Sequence, residues 1–183
     1  MLKRYENFLN EFDGALAKYF ELHKQYIKCK KGCTDCCTQG EFPYSRLEAE
    51  YLMQAFVNLP KDIKDDIRRN IIILKEDKLK NKGERYTYTC PFLVNSECAL
   101  YSHRGIVCRT YGLACMQNDG RVKLPECASM GLNYSEFYDV KSKTVSIPDP
   151  IKQDFKIDSC LRSSLAEKYE LECGEIRPLI DWF

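Results

Sequence analysis

The chain has 183 residues, 44% of them hydrophobic, and its 28 basic and 27 acidic side chains leave a formal net charge of +1. That length fits one domain with an ample core, and the charge balance argues against a nucleic-acid partner, whose binding surface leaves a basic excess. No apolar leader is visible and the run "IIIL" at Ile71–Leu74 is far too short to span a bilayer, so the sequence predicts a soluble, cytoplasmic protein with no membrane partner.

Taken in chain order, Tyr5, Phe8, Leu9, Phe12, Ala15, Leu16 and Tyr19 recur at three- and four-residue steps and predict a helix from about Leu2 to near Ile27. A cysteine-rich loop follows, punctuated by Gly32 and Gly40. Ser45 and Glu48 match a capping box and should start a second helix, ended by Asn58 and Pro60. A third helix is expected where Ile63, Ile67, Ile71 and Leu74 share one side; its mixed charges read as a solvated face. Asn81-Lys82-Gly83 breaks it. "RYTYTCPFLV" reads as a short extended segment, although Pro91 argues against a central strand there. Two short runs around Asn118-Asp119-Gly120 predict a hairpin, "VSIPDP" a loop, and Ser159 to Glu172 a last helix with Gly174 beyond its end. The fold class expected is mainly α with a short β-hairpin: a small, loop-rich single domain built around a cysteine-ligated metal centre.

Eleven cysteines decide the chemistry. In a reducing compartment a dense cysteine pattern more often means metal or catalysis than disulfides, and an odd count prevents complete pairing. A secreted disulfide scaffold is the alternative. Cys160 and Cys173, at either end of the predicted last helix, read as small core residues. The other nine lie in loop-like or hairpin-like positions: Cys29, Cys33, Cys36, Cys37, Cys90, Cys98, Cys108, Cys115 and Cys127. Cys33-x-x-Cys36 has the knuckle spacing that lets two thiolates reach one ion, with Zn–S near ~2.3 Å, and iron–sulfur clusters use the same short spacings. These sulfurs exceed one tetrahedral site, so zinc, iron and an iron–sulfur cluster all stay open. Adjacent Cys36 and Cys37 are expected to project differently and to serve different partners or different atoms of one cluster. Thiolates around a dication leave negative charge that is costly to bury; Lys28, Lys30, Lys31 and above all Arg109 are candidates to offset it. His103, between Cys98 and Cys108, is a possible nitrogen ligand.

These residues resemble the YkgJ-like cysteine-cluster proteins, described as a zinc- or iron-chelating domain. Their pattern is CxxCxxCC, then CPFL, a further cysteine, a tyrosine, Arg-Pro and Cys-Arg. "GCTDCC" supplies Cys33, Cys36 and Cys37, with Cys29 one residue further upstream than the strict pattern. "CPFLVNSECALYSHRGIVCRTYGL" supplies Cys90, Pro91, Phe92, Leu93, Cys98, Tyr101, Arg104, Cys108 and Arg109, with Gly105 where the family usually has proline. "CASMGLNYS" looks like a cysteine-to-asparagine segment that follows in some members and would place Cys127 near the site. The resemblance implies a family-like metal-binding core over about 29–133 and a C-terminal helical extension over about 134–183. Flagellin lysine N-methylases are similar in their cysteine cluster, which implies methyl transfer from S-adenosylmethionine as an alternative.

Three classes of function are thus expected. The first is a metal-binding protein whose zinc or iron is structural or cargo, with Arg109 donating to ligand sulfur. The second is an enzyme, either a protein methylase or an iron–sulfur redox protein. The third is a structural zinc module presenting a surface to a protein partner. G-x-S-x-G and H-E-x-x-H are absent, which sets serine-hydrolase and zincin chemistry aside. A nucleophile pair of cysteine with His103 competes with too many other thiols, and glycine-rich loops of the GxGxxG type are also missing.

Overall fold

Ser45 starts a helix because its side chain and Glu48 satisfy each other's backbone donors, as the sequence predicts. The structure, a computed structural model, describes residues 1–30, 32–38, 40–81, 86–139, 141–142, 144–147 and 149–183. In chain order they form α1 (Leu2–Leu22), α2 (Asp35–Thr38), β1 (Pro43–Ser45), α3 (Arg46–Phe56), α4 (Lys61–Lys80), β2 (Leu93–Val94), β3 (Glu97–Cys98), α5 (Ile106–Thr110), β4 (Cys115–Met116), β5 (Val122–Lys123), β6 (Tyr138–Asp139), β7 (Thr144–Val145), α6 (Ile157–Leu161), α7 (Ser164–Lys168) and β8 (Ile176–Pro178). About half of the chain is helical, and the strands form two-stranded antiparallel sheets. Among the described residues no helix is long and apolar enough to cross a membrane. The sequence expectations at Lys31, Lys82, Gly83, Arg85 and Pro148 fall outside the described residues.

The chain forms two compact units. The first comprises Met1, residues 3–31 and 106–171. Here α1 buries Tyr5, Phe8, Leu9, Phe12 and Leu16, and α7 is tied to it by Lys168 and Tyr169, which both bond Glu11, and by Arg4 paired with Glu170. The helix stops at Leu22, short of Ile27. His23 is buried there and its Nδ1 meets the Tyr134 hydroxyl at 3.1 Å, so the chain turns away through a short 3-10 turn at Lys24–Tyr26. Ala114, Tyr134 and Ile147 form a second core beneath Tyr26, Ile27 and Phe137. The predicted hairpin is β4–β5, closed by Gly120 at φ 81°. The predicted last helix is instead α6 and α7, because Ser163 interrupts it. Its hydroxyl donates to the Cys160 carbonyl (2.7 Å) and accepts from the Ala166 amide (3.3 Å), a local alternative to continuing the helix.

The second unit comprises Leu2, residues 32–105 and 172–183. Its frame is α3, α4 and the β1–β8 pair, joined by Leu47 N to Cys173 O (3.1 Å), Leu179 N to Phe42 O (2.8 Å) and the Trp182 indole donating to Tyr44 O (3.0 Å). In α4, Ile67 is buried while the charges pair along the outside, for example Lys61–Asp65 and Arg69–Asp66. Lys78 of α4 bonds both Glu41 and Asp181, fixing the chain end to this helix. Among the described residues of "RYTYTCPFLV", Tyr88 bridges to Gly40 and Leu93–Val94 form β2.

Candidate metal centre

All eleven cysteines are thiols outside any disulfide. Of the nine expected at the centre, Cys33, Cys36, Cys37, Cys90 and Cys98 belong to the second unit, and Cys29, Cys108, Cys115 and Cys127 to the first.

In the second unit the opening loop is shaped by α2, a single helical turn. Cys37 N donates to Thr34 O (2.7 Å), and the Thr38 hydroxyl closes the other end on Asp35 O (3.0 Å). This turn holds Cys36 Sγ and Cys37 Sγ 3.8 Å apart, so the two adjacent side chains face each other, contrary to the expectation that they project differently. Cys33 Sγ donates to Asp35 Oδ2 at 3.2 Å. The second motif is pinned to this turn through backbone: Cys90 N donates to Cys37 O at 2.6 Å, two residues beyond the Tyr88–Gly40 bridge. Asn95 and Ser96, at φ 51° and 61°, then make a tight hairpin of β2 and β3. It folds Cys98 back opposite Leu93, whose amide donates to Cys90 O (3.0 Å). Phe92 and Leu100, both buried, anchor the hairpin. The turn signal hidden in "PFLVNSEC" is that Asn-Ser pair, since asparagine tolerates the left-handed region.

Beyond Cys98 a 3-10 turn at Tyr101–His103 is buttressed by α3. The His103 ring stacks on Tyr51 with centroids 4.5 Å apart, its Nδ1 lies 2.9 Å from the Ser102 hydroxyl, and Gly105 N donates to the Tyr44 hydroxyl (3.0 Å). A Cβ on residue 105 would lie 2.8 Å from both Glu48 Oε1 and the Tyr44 ring. That close approach favours glycine at this position. Arg104 lies over the Tyr101 ring at 3.8 Å and donates to Tyr101 O at 2.8 Å.

The electrostatics couple these thiols. Cys36 is pushed well above the ordinary thiol range, first by its hydrogen bond with Cys37 and then by burial. Burial also raises Cys98; the Leu100 amide and the Arg104 charge oppose the shift, and Cys36 adds to it. Arg104 is thus a cation that acts on a thiol of this group. Arg109, the residue favoured from sequence, is buried in the first unit and pairs with Asp13. Lys28 is exposed and bonds the Ser135 hydroxyl at 2.6 Å, and Lys30 is exposed.

The first unit treats its cysteines differently. Asn133, 1% exposed, accepts from Lys28 N and Cys29 N (2.8 Å each) and donates to Gly112 O (3.0 Å), which fixes the segment that carries Cys29. Cys29 itself is exposed and Cys108, on α5, half-buried. Cys115 and Cys127 are buried, and burial raises the Cys115 thiol. Of the two expected core cysteines, Cys160, in the first unit, is 1% exposed, while half-buried Cys173, in the second, is raised to about 11 by burial and then by Glu48.

Among the described residues no three His, Cys, Asp or Glu side chains are gathered to hold one metal ion. One sulfur pair has the spacing of an edge of such a site: four sulfurs at ~2.3 Å around one zinc define tetrahedral edges of roughly 3.8 Å, the separation of Cys36 and Cys37. Compared with known proteins, the chain matches no family model, no curated protein and no solved structure at a significant level.

Proposed function

We propose that this chain is a metal-binding protein in which Cys36, Cys37, Cys90 and Cys98 hold a zinc or iron ion as thiolates. The observation that carries the reading is the 3.8 Å sulfur pair on α2, with Cys90 hydrogen-bonded to the same turn and Cys98 folded back towards it. In the resting thiol pair one proton is shared at close range and burial disfavours ionisation; a bound dication reverses that preference, because its charge stabilises the thiolates more than burial penalises them. Arg104 offsets part of the remaining negative charge, and Cys33, held by Asp35, stands next to the set. The ion is the cross-link of the second unit, tying the loop before β1 to the segment after α4. Methyl-transfer chemistry is supported by the family resemblance alone, and iron–sulfur chemistry and a contribution from Cys29, Cys108, Cys115, Cys127 or Arg109 by the sequence pattern alone.

A competitive zinc titration against a chromophoric chelator, under anaerobic reducing conditions, tests this. Serine at position 36, 37, 90 or 98 should lower zinc affinity by about tenfold or more, and serine at Cys115 or Cys160 should leave it unchanged. Equal affinity in all six variants contradicts the assignment.

A further inference from the structure

Cys36 and Cys37 carry a second implication that does not depend on a metal. We propose that in the metal-free chain these two residues are a site of reversible oxidation, closing to a vicinal disulfide when they meet a hydroperoxide. The sulfurs are already 3.8 Å apart and the thiols are half-buried, within reach of a molecule as small as hydrogen peroxide. The neighbouring candidate, Cys33, is engaged elsewhere: its thiol donates to Asp35 Oδ2 at 3.2 Å.

The chemistry balances without a further reactant. The Cys37 thiol loses its proton and its sulfur attacks a peroxide oxygen; the S–O bond forms, the O–O bond breaks, and the departing hydroxide takes up the proton as water. The neighbouring sulfur then attacks the sulfenic sulfur. The S–S bond forms, the S–O bond breaks, and the hydroxide leaves with the second thiol proton as another water. Two thiols are oxidised by two electrons and one peroxide is reduced to two waters.

Backbone geometry makes this bond a labile one. Adjacent Cα atoms across a trans peptide are ~3.8 Å apart, below the ~4.4–6.8 Å that an unstrained disulfide spans. Strain raises the reduction potential, so cellular dithiols and glutathione reopen the bond. Closing it also distorts α2, whose single turn rests on the Cys37 N to Thr34 O and Thr38 hydroxyl to Asp35 O bonds. The Cys37 carbonyl that receives Cys90 N moves with it. Oxidation at one dipeptide therefore loosens the link between the two cysteine segments, and a metal ion bound to the same sulfurs protects them.

The test uses the full chain, reduced, stripped of metal by a chelator, and treated with one equivalent of hydrogen peroxide before alkylation of the remaining thiols and peptide mapping with fragmentation. The expected result is loss of two hydrogens within Cys36–Cys37, with Cys33 alkylated, and recovery of both thiols on adding glutathione. Cys36→Ser should stop at a Cys37 sulfenic acid trapped by dimedone, Cys37→Ser should leave Cys36 alkylated, and Cys33→Ser should still lose the two hydrogens. A Cys33–Cys36 or Cys37–Cys90 link, or full alkylation of Cys36 and Cys37, overturns the proposal. Zinc content is measured on a separate aliquot. Failure of metal binding with closure intact refutes only the metal assignment, and the reverse refutes only the switch.

Discussion

Replacing Ser45 with alanine removes a hydroxyl that does two jobs at the start of α3. It accepts from Glu48 N at 3.2 Å, capping the helix, and it donates to Glu48 Oε2 at 2.8 Å. Ser45 is 0% and Glu48 1% exposed, so water replaces neither bond. The lost cap costs ~1 kcal/mol, and a buried hydrogen bond to a charged acceptor ~1.5 kcal/mol or more. Glu48 keeps the Ser45 amide as a donor at 2.8 Å, so the total should come to about 2–3 kcal/mol. The single tryptophan, Trp182, bonds the carbonyl of the neighbouring Tyr44 and reports on this unit directly. With a urea m-value of ~1.5 kcal/mol/M, its fluorescence midpoint should fall by roughly 1.3–2 M with m unchanged. The half-buried cap Ser163, whose bond to Ala166 N is 3.3 Å, should cost ~1 kcal/mol when changed to alanine, followed by circular dichroism. A Ser45→Ala loss below ~0.5 kcal/mol, or one no larger than that of Ser163→Ala, would refute the argument that burial doubles the value of the cap.

Three further outcomes follow from the geometry. Gly105→Ala should destabilise the second unit by ~1–3 kcal/mol through crowding against Glu48 and Tyr44, and Gly105→Pro by more, since it also deletes the amide bonded to Tyr44; equal stability of the proline variant and the parent in urea would contradict the close approach. Burial lowers the His23 pKa below 6.5, an effect that the charge of Asp149 opposes, so as pH falls the unfolded chain takes up this proton first. The stability contribution of His23 is complete above about 6.5 and is lost as pH drops towards the folded value. Urea midpoints by circular dichroism between pH 7.5 and 5 should show that decline, and His23→Gln should flatten it. Finally, a zinc chelator in excess should lower the Trp182 urea midpoint of the metal-loaded protein, since ion binding to the folded state alone adds to its stability; an unchanged midpoint would argue against a cross-linking ion.

Local physics made several elements readable from sequence. The α1 stripe, the Ser45–Glu48 box, the α4 periodicity and the Asn118–Gly120 hairpin each rest on residues within a few positions of one another, and each recurs in the structure. What was not legible depends on distant partners. The β1–β8 pair joins residues more than a hundred positions apart, and no pattern in "PYS" or "IRP" announces it. The early end of α1 is set by His23 meeting Tyr134. The split of the last helix was local but concealed, because Ser163 reads as an ordinary helix residue until its hydroxyl finds Cys160 O.

The candidate site divides in the same way. The spacing Cys33-x-x-Cys36-Cys37 and the motif from Cys90 to Cys98 marked the thiols that share the second unit. Counting cysteines could not say that Cys115 and Cys160 are buried in the other unit, or that Arg109 pairs with Asp13 while Arg104 acts on Cys98. Charge partners are chosen by three-dimensional packing, and two arginines five positions apart look alike until the fold is known.

The most direct test is elemental analysis of the full chain purified without air, beside the Cys36→Ser/Cys37→Ser double variant prepared identically. The account predicts zinc or iron bound to the parent protein in stoichiometric amount and one ion fewer per chain in the variant. A parent protein without metal, or a double variant that retains the same metal content, would contradict it.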